Sequence, residues 1–272
     1  MACSMSYRRA AAVALVLTGA RLAMGGDGWP LVDQARRRNG STWTTRRSSV
    51  TLQSFDGQEG RTREATIVEK TSPTGPHSTL IEFTGPEDIR GTRLLHVSPR
   101  GVPDQYWIWQ PQTRRARHLG GNAGGSSHRD EIMTGNDMSY RDLELVVRIQ
   151  QWDSSSATAT LEGDEPCADT ECSRVALVPN RPNEFPCKRY RLWYSHGDLQ
   201  LRRVDLYDLD DQVVKRITCS DYFPTGAVQT PRTCVIEHVP SKVRSVITVR
   251  EVAYDEPVDD DVFSLARLSE GR

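Results

Sequence analysis

The stretch Val50-Thr-Leu-Gln-Ser-Phe55, then Asp56-Gly57, then Arg63-Glu-Ala65-Thr-Ile67-Val-Glu-Lys70 decides the fold. Asp56-Gly57 is a hairpin signal, because glycine accepts the positive φ of a tight turn at no steric cost. Ala65 and Ile67 alternate with charged neighbours, the period of a strand with one face in a core. A half-buried antiparallel pair is expected here. Outward from it, short β-rich runs separated by turn residues recur at Thr79–Phe83, Thr92–Ser98, Tyr106–Gln110, Leu145–Trp152 and Ala157–Leu161. They continue at Cys187–Tyr194, Leu199–Tyr207, Val213–Cys219, Thr233–His238 and Val243–Tyr254. Leu31–Arg38, closed by Asn39-Gly40, reads as a short helix.

In the run 199–207 the apolar residues change face, from Leu199 and Leu201 to Val204 and Leu206, which predicts a β-bulge near Arg202-Arg203. More than ten strands do not stay flat and open, so the sheet is expected to curl into a barrel or part-barrel, or to split into a sandwich. The fold class is mainly β with few short helices. No repeat or linker divides the chain, and residues 26–272 are read as one domain.

Of the 272 residues, 37% are hydrophobic and 26% charged, a balance that fits a globular chain and excludes a multi-span membrane protein. Lysine and arginine number 35 against 36 acidic residues. The net charge of −1 removes the overall positive footprint of a nucleic-acid binder. Residues 1–25 combine Arg8-Arg9, an apolar run Ala10–Leu17 and small residues at Ala20, Ala23 and Gly25. This is the pattern of a secretory signal peptide, with an apolar run too short to span a bilayer. Cys3 precedes that run, so it is not placed as a lipoprotein's acylated cysteine. A soluble, exported mature chain is expected.

Export makes disulfides relevant to Cys167, Cys172, Cys187, Cys219 and Cys234. If residues 211–239 form a hairpin with its tip at Pro224–Gln229, Cys219 stands opposite Cys234 and Ile217 opposite Ile236. A cross-strand disulfide competes there with two buried thiols. Among Cys167, Cys172 and Cys187 one local bridge is expected, with its partners open. The C-x4-C spacing without a histidine pair is poor zinc chemistry, and no metal or cofactor is expected.

Catalytic motifs fail on residue content: there is no G-x-S-x-G elbow, H-E-x-x-H pair, P-loop or dinucleotide glycine pattern. The chain is read as a non-enzyme. Gly120–Ser127 is a glycine loop, and Ser139 with Asp142 resembles the cap of a short helix. A loop leading to apolar helices fits a cover over a sheet, and equally a plug in a core.

Three blocks resemble the outer-membrane lipoprotein-sorting family, the LolA-like proteins. They are Ile81-Glu-Phe-Thr-Gly-Pro-Glu-Asp-Ile-Arg-Gly-Thr-Arg-Leu-Leu95, Tyr106-Trp-Ile-Trp-Gln-Pro-Gln-Thr-Arg-Arg-Ala-Arg-His-Leu119 and Gly135-Asn-Asp-Met-Ser-Tyr-Arg-Asp-Leu143. Looser similarity runs through Arg203–Asp208, Lys215–Tyr222 and Asp259–Phe263. Against that pattern, 163–187 looks like a cysteine-bearing insertion, and His128 replaces a common phenylalanine. The resemblance implies a periplasmic, strongly curved antiparallel sheet, an unclosed barrel under a helical lid. Its apolar face would accept acyl chains of lipids or lipoproteins, in some relatives beside an inner-membrane transporter.

Each methylene moved out of water contributes about 0.8 kcal/mol, so a carrier needs a continuous apolar cavity. The expected lining is Phe83, Leu94, Trp107, Trp109, Met133, Met138, Tyr140, Leu143, Val147 and Trp193. Tyr106–Trp109 offers aromatics to both faces, and which pair points inward stays open. Arg90, Arg93, Arg114, Arg115 and Arg117 form a basic stretch suited to lipid headgroups or an acidic partner. The expected partners are a lipid or lipidated protein, a transporter and, transiently, a membrane surface, met by a monomer without nucleic acid. A sensing adaptor of the same fold and an unrecognised hydrolase are the competing readings.

Overall fold

The computed structural model describes residues 25–270 apart from 41–42, 56–59, 73–75, 100–104, 120–151, 168 and 182–186. The chain begins with β1 (Gly26–Asp27), helix α1 (Trp29–Arg38), β2 (Thr45–Phe55), β3 (Arg61–Lys70) and β4 (His77–Gly85). It continues with β5 (Arg93–Ser98), β6 (Gln105–Gln110), β7 (Arg115–His118), β8 (Ala157–Cys167) and β9 (Thr170–Pro179). Next come β10 (Arg189–Ser195), β11 (Leu201–Tyr207), β12 (Val213–Thr225), β13 (Val228–His238) and β14 (Val243–Tyr254). A 3-10 turn (Asp260–Phe263) and a C-terminal helix (Leu265–Glu270) finish the described chain.

These strands form one antiparallel sheet in the order β1-β8-β9-β10-β11-β12-β13-β14-β2-β3-β4-β5-β6-β7. Its two end strands do not pair with each other, so the sheet is unclosed. In a flat sheet β13 and β6, six steps apart in this order, would lie about 29 Å from each other. Both border one cavity, so the sheet bends strongly between them.

Alternation sorts the side chains. Val50 pairs with Ala65, Ala65 with Phe83, Ile67 with Ile81, Ile81 with Leu94 and Leu94 with Ile108, all on the inner face. Together with Val175, Leu177, Tyr190, Leu192, Val204 and Ile217 they make one continuous core. Each such side chain contributes about 2 kcal/mol by leaving water. The outer face of β3 and β5 is held by the C-terminal segment. Lys70 Nζ donates to the Val258 carbonyl (2.7 Å), Arg93 Nη1 donates to the Leu268 carbonyl (3.2 Å), and Leu268 is 1% exposed.

The predicted bulge is present. Trp193 pairs with Arg203 and Tyr194 with Leu201, leaving Arg202 as the extra residue, which returns Val204 and Leu206 to the core. Helix α1 starts two residues earlier than expected, with proline in its first turn, and ends before Gly40 at φ +66°.

The expected antiparallel pair of β2 and β3 is present, with Ser54 opposite Arg61, and the turn expected at Asp56-Gly57 lies outside the described residues. Within the cysteine-bearing segment 163–187, strand β9 buries Val175 and Leu177 fully. Trp152 belongs to no strand and meets the Tyr190 ring edge-on at 5.0 Å. The rest of 145–152, the expected cover at 120–145 and residues 1–24 of the signal reading lie outside the described residues.

Candidate functional site

Among the described residues, the inner side of the bend borders a pair of adjoining cavities. The first spans about 1080 Å³, counting volume open to solvent. One wall carries Ile67, Ile81, Leu94 and Tyr106, and the facing wall carries Cys234, Ile247, Val249 and Val252. The second, about 1240 Å³ on the same measure, lies between helix α1 and strands β11–β12, lined by Ala35, Tyr194, Leu201, Val204 and Tyr222. Arg46 and Pro231 border both.

Polar residues interrupt the first cavity at defined places. Glu69 is 0% exposed and ion-paired with Arg46, whose guanidinium lies 5.5 Å from the Trp43 ring centre. Burial pushes the Glu69 carboxyl above its ordinary value, with the Arg46 charge pulling it back. Arg46, against its own burial, is held above its ordinary value by the Glu69 charge. Glu69 Oε1 has no hydrogen-bond partner among the described residues. His77 is hydrogen-bonded to Thr71 (3.1 Å) and Thr79 (3.2 Å), and His96 stacks on Tyr106 at 4.6 Å. In the second cavity, burial pushes the Tyr194 hydroxyl up to about 12. The Tyr222 hydroxyl, also raised by burial, donates to the Leu201 carbonyl.

The residues expected from the sequence divide into four groups. Leu94 lines the first cavity, and Phe83 is buried in the adjoining core. Trp107 and Trp109 register with Leu95 and Arg93, opposite in parity to Leu94 and Ile108, so Tyr106 and Ile108 are the inward pair. Trp107 borders the cavity at the sheet margin, with its ring 5.1 Å from His118. Trp193 is on the outer face. It packs with Cys167 and Cys172, donates its indole N–H to Glu165 (2.5 Å) and lies under the Arg203 guanidinium, because Leu192 and Tyr194 take the inner positions. Met133, Met138, Tyr140, Leu143 and Val147 lie outside the described residues.

Of the basic stretch, Arg93 is buried and bonded to Glu82 and Leu268, which makes it structural. Arg90 pairs with Glu87, and Arg114, Arg115 and Arg117 are exposed in the β6–β7 turn and on β7. Cys219 and Cys234 are direct register partners with Cα atoms 4.2 Å apart and are disulfide-bonded. Cys167 pairs with Cys172, and Cys187 is buried in the main core.

Arg46, Glu69, His77 and His96 were not expected. The alternation Ala65, Ile67, Glu69 puts Glu69 on the core face, as does Ser48, Val50 for Arg46, so parity carried the signal.

Ser173, His196 and Asp164 also meet, on exposed positions. Both Ser173 Oγ (3.1 Å) and Asp164 Oδ1 (3.2 Å) contact His196 Nε2, and Ser173 donates to Asp164 directly. A nucleophile triad needs the carboxylate on the other ring nitrogen, so this trio has the wrong order for activating Ser173. Among the described residues no group of three or more metal-ligating side chains converges, and no helix is long and apolar enough to cross a membrane.

The model of a protein family described as "-like: Uncharacterized protein" matches residues 75–270. The chain belongs to that family. No curated protein matches it. A crystal structure assigned as an outer membrane lipoprotein-sorting protein domain, from Vibrio parahaemolyticus, superposes with a TM-score of 0.76 at 16% identity. It covers 89% of this chain and 98% of its own. A DUF1329 family protein from Desulfovibrio piger gives 0.76 at 22% identity, covering 89% and 97%. A LolA superfamily protein from Nitrosomonas europaea gives 0.62 at 12%, covering 89% and 99%. The fold is LolA-like.

Proposed function

We propose that this LolA-like chain is a periplasmic carrier that shelters the acyl chains of a lipid or lipoprotein in its inner cavity and passes them between membranes without covalent chemistry. The observation that carries this reading is the first cavity, about 1080 Å³ with solvent-open volume counted, whose lining is mostly apolar and rich in Ile, Leu and Val. A continuous apolar lining is the environment that hydrocarbon transfer out of water needs. Leu94, Ile81, Ile67, Ile247 and Val249 are the contacts, with Phe83 backing them. Two disulfide-bonded cysteine pairs fit an oxidising compartment, in line with the signal-like residues 1–25. Exposed Arg115 and Arg117 on edge strand β7 suit contact with anionic headgroups or an acidic transporter face.

Native mass spectrometry of protein purified from its own envelope tests this directly. Bound lipid that moves to acceptor vesicles supports the carrier. Bound lipid that never moves favours a sensing adaptor, and turnover of a lipid ester without stable binding favours a hydrolase.

A further inference from the structure

We propose that Glu69 and Arg46 form a recognition site inside the first cavity for the hydroxyl group of a neutral amphiphile. The inference rests on the carrier reading and adds the ligand's polar chemistry to it.

Glu69 borders a mostly apolar cavity, is wholly buried, and spends one carboxylate oxygen on Arg46. Its other oxygen, Oε1, has no hydrogen-bond partner among the described residues. A carboxylate oxygen accepts and does not donate, and a buried acceptor left unmatched is costly, so the site is completed by a ligand that brings a donor. The neighbouring histidine is already committed to Thr71 and Thr79.

Charge narrows the donor. An ammonium group would meet the Arg46 guanidinium, and a carboxylate or phosphate would meet Glu69. The pair together is neutral, so a neutral hydroxyl gains a charge-assisted hydrogen bond without facing a like charge. Arg46 borders both cavities, so the polar group is fixed at their junction. Ile67, Val249 and Val252 around the pair are apolar and leave the rest of the ligand in hydrocarbon surroundings.

Delipidated protein titrated against a bound fluorescent fatty-chain probe tests the assignment with three competitors of equal length: hexadecanol, its methyl ether and palmitate. The alcohol is expected to displace the probe about tenfold better than the ether, the value of one hydrogen bond to a charged group. Palmitate is expected to compete no better than the ether. In the double variant Arg46→Leu/Glu69→Leu, which removes both charges together, alcohol and ether are expected to compete equally. Equal competition in the wild type, the result if a trapped water serves Oε1, overturns the hydroxyl site and leaves the carrier reading standing. Palmitate outcompeting the alcohol overturns it too. Failure of all three to displace, together with no lipid retained from the envelope, overturns the carrier reading and this proposal with it. The wild-type comparison decides even if the double variant does not fold.

Discussion

Ile81→Trp puts the carrier reading to a quantitative test. Ile81 is 6% exposed and stands in direct register between Ile67 and Leu94, in the middle of one cavity wall. An indole there projects toward Ile247 and Val249 on the facing wall and takes space that a bound chain would fill. If it displaces about three methylenes, at about 0.8 kcal/mol each, the loss is about 2.4 kcal/mol, or roughly fiftyfold in affinity. Overpacking a cavity wall costs folding about 1–3 kcal/mol, less than an ordinary domain's reserve, so the variant is expected to fold. Displacement of a fluorescent fatty-chain probe gives the affinity, and a thermal melt confirms the fold. A folded Ile81→Trp protein that binds as tightly as the wild type would show that acyl chains do not lie along this wall.

Three further outcomes follow from the same geometry. Trp193→Phe removes the indole donor to Glu165 on the outer face, so urea unfolding should show a loss of about 1–2 kcal/mol while lipid retention stays unchanged. Asp205, buried and hydrogen-bonded to both Arg203 and Arg216, has a carboxyl held below its ordinary value by those two guanidinium groups, despite its burial. Its contribution is full above the unfolded value near 3.9 and is lost as pH falls through it toward the lower folded value. Asp205→Asn should therefore cost about 2–3 kcal/mol at neutral pH, and the gap from wild type should shrink in melts below about pH 4. A gap independent of pH would remove the ion network as its source. Cys219 and Cys234 close a 15-residue separation, so replacing both with serine should cost about 3 kcal/mol in chemical denaturation.

The β12–β13 hairpin was legible because Ile217 and Cys219 on one strand and Cys234 and Ile236 on the other keep strict alternation around an identifiable turn. The bulge at Arg202 was legible for the same reason: a change of apolar parity within one run has few other causes. Strand β9 was hidden because Val175-Ala-Leu-Val178 is flanked by cysteines, acidic residues and proline, whose turn character masks a buried run. Strand β7, Arg-Ala-Arg-His, has no apolar period at all and exists through pairing with β6. The inward pair on β6 was undetermined locally, since aromatics occupy both faces, and the register Leu94 to Ile108 decides it. Trp193 misled because bulk was read as lining; its neighbours Leu192 and Tyr194 own the core positions. The Arg46–Glu69 pair was readable from parity, but two charges on a core face run against the usual cost of burying them.

The C-terminal segment ties down the back of β3 and β5 through Val258 and Leu268, so a cavity wall built from residues well before it in the sequence is braced by that segment. During synthesis the wall precedes its brace, so its packing is completed only after the segment carrying Val258 and Leu268 has been made.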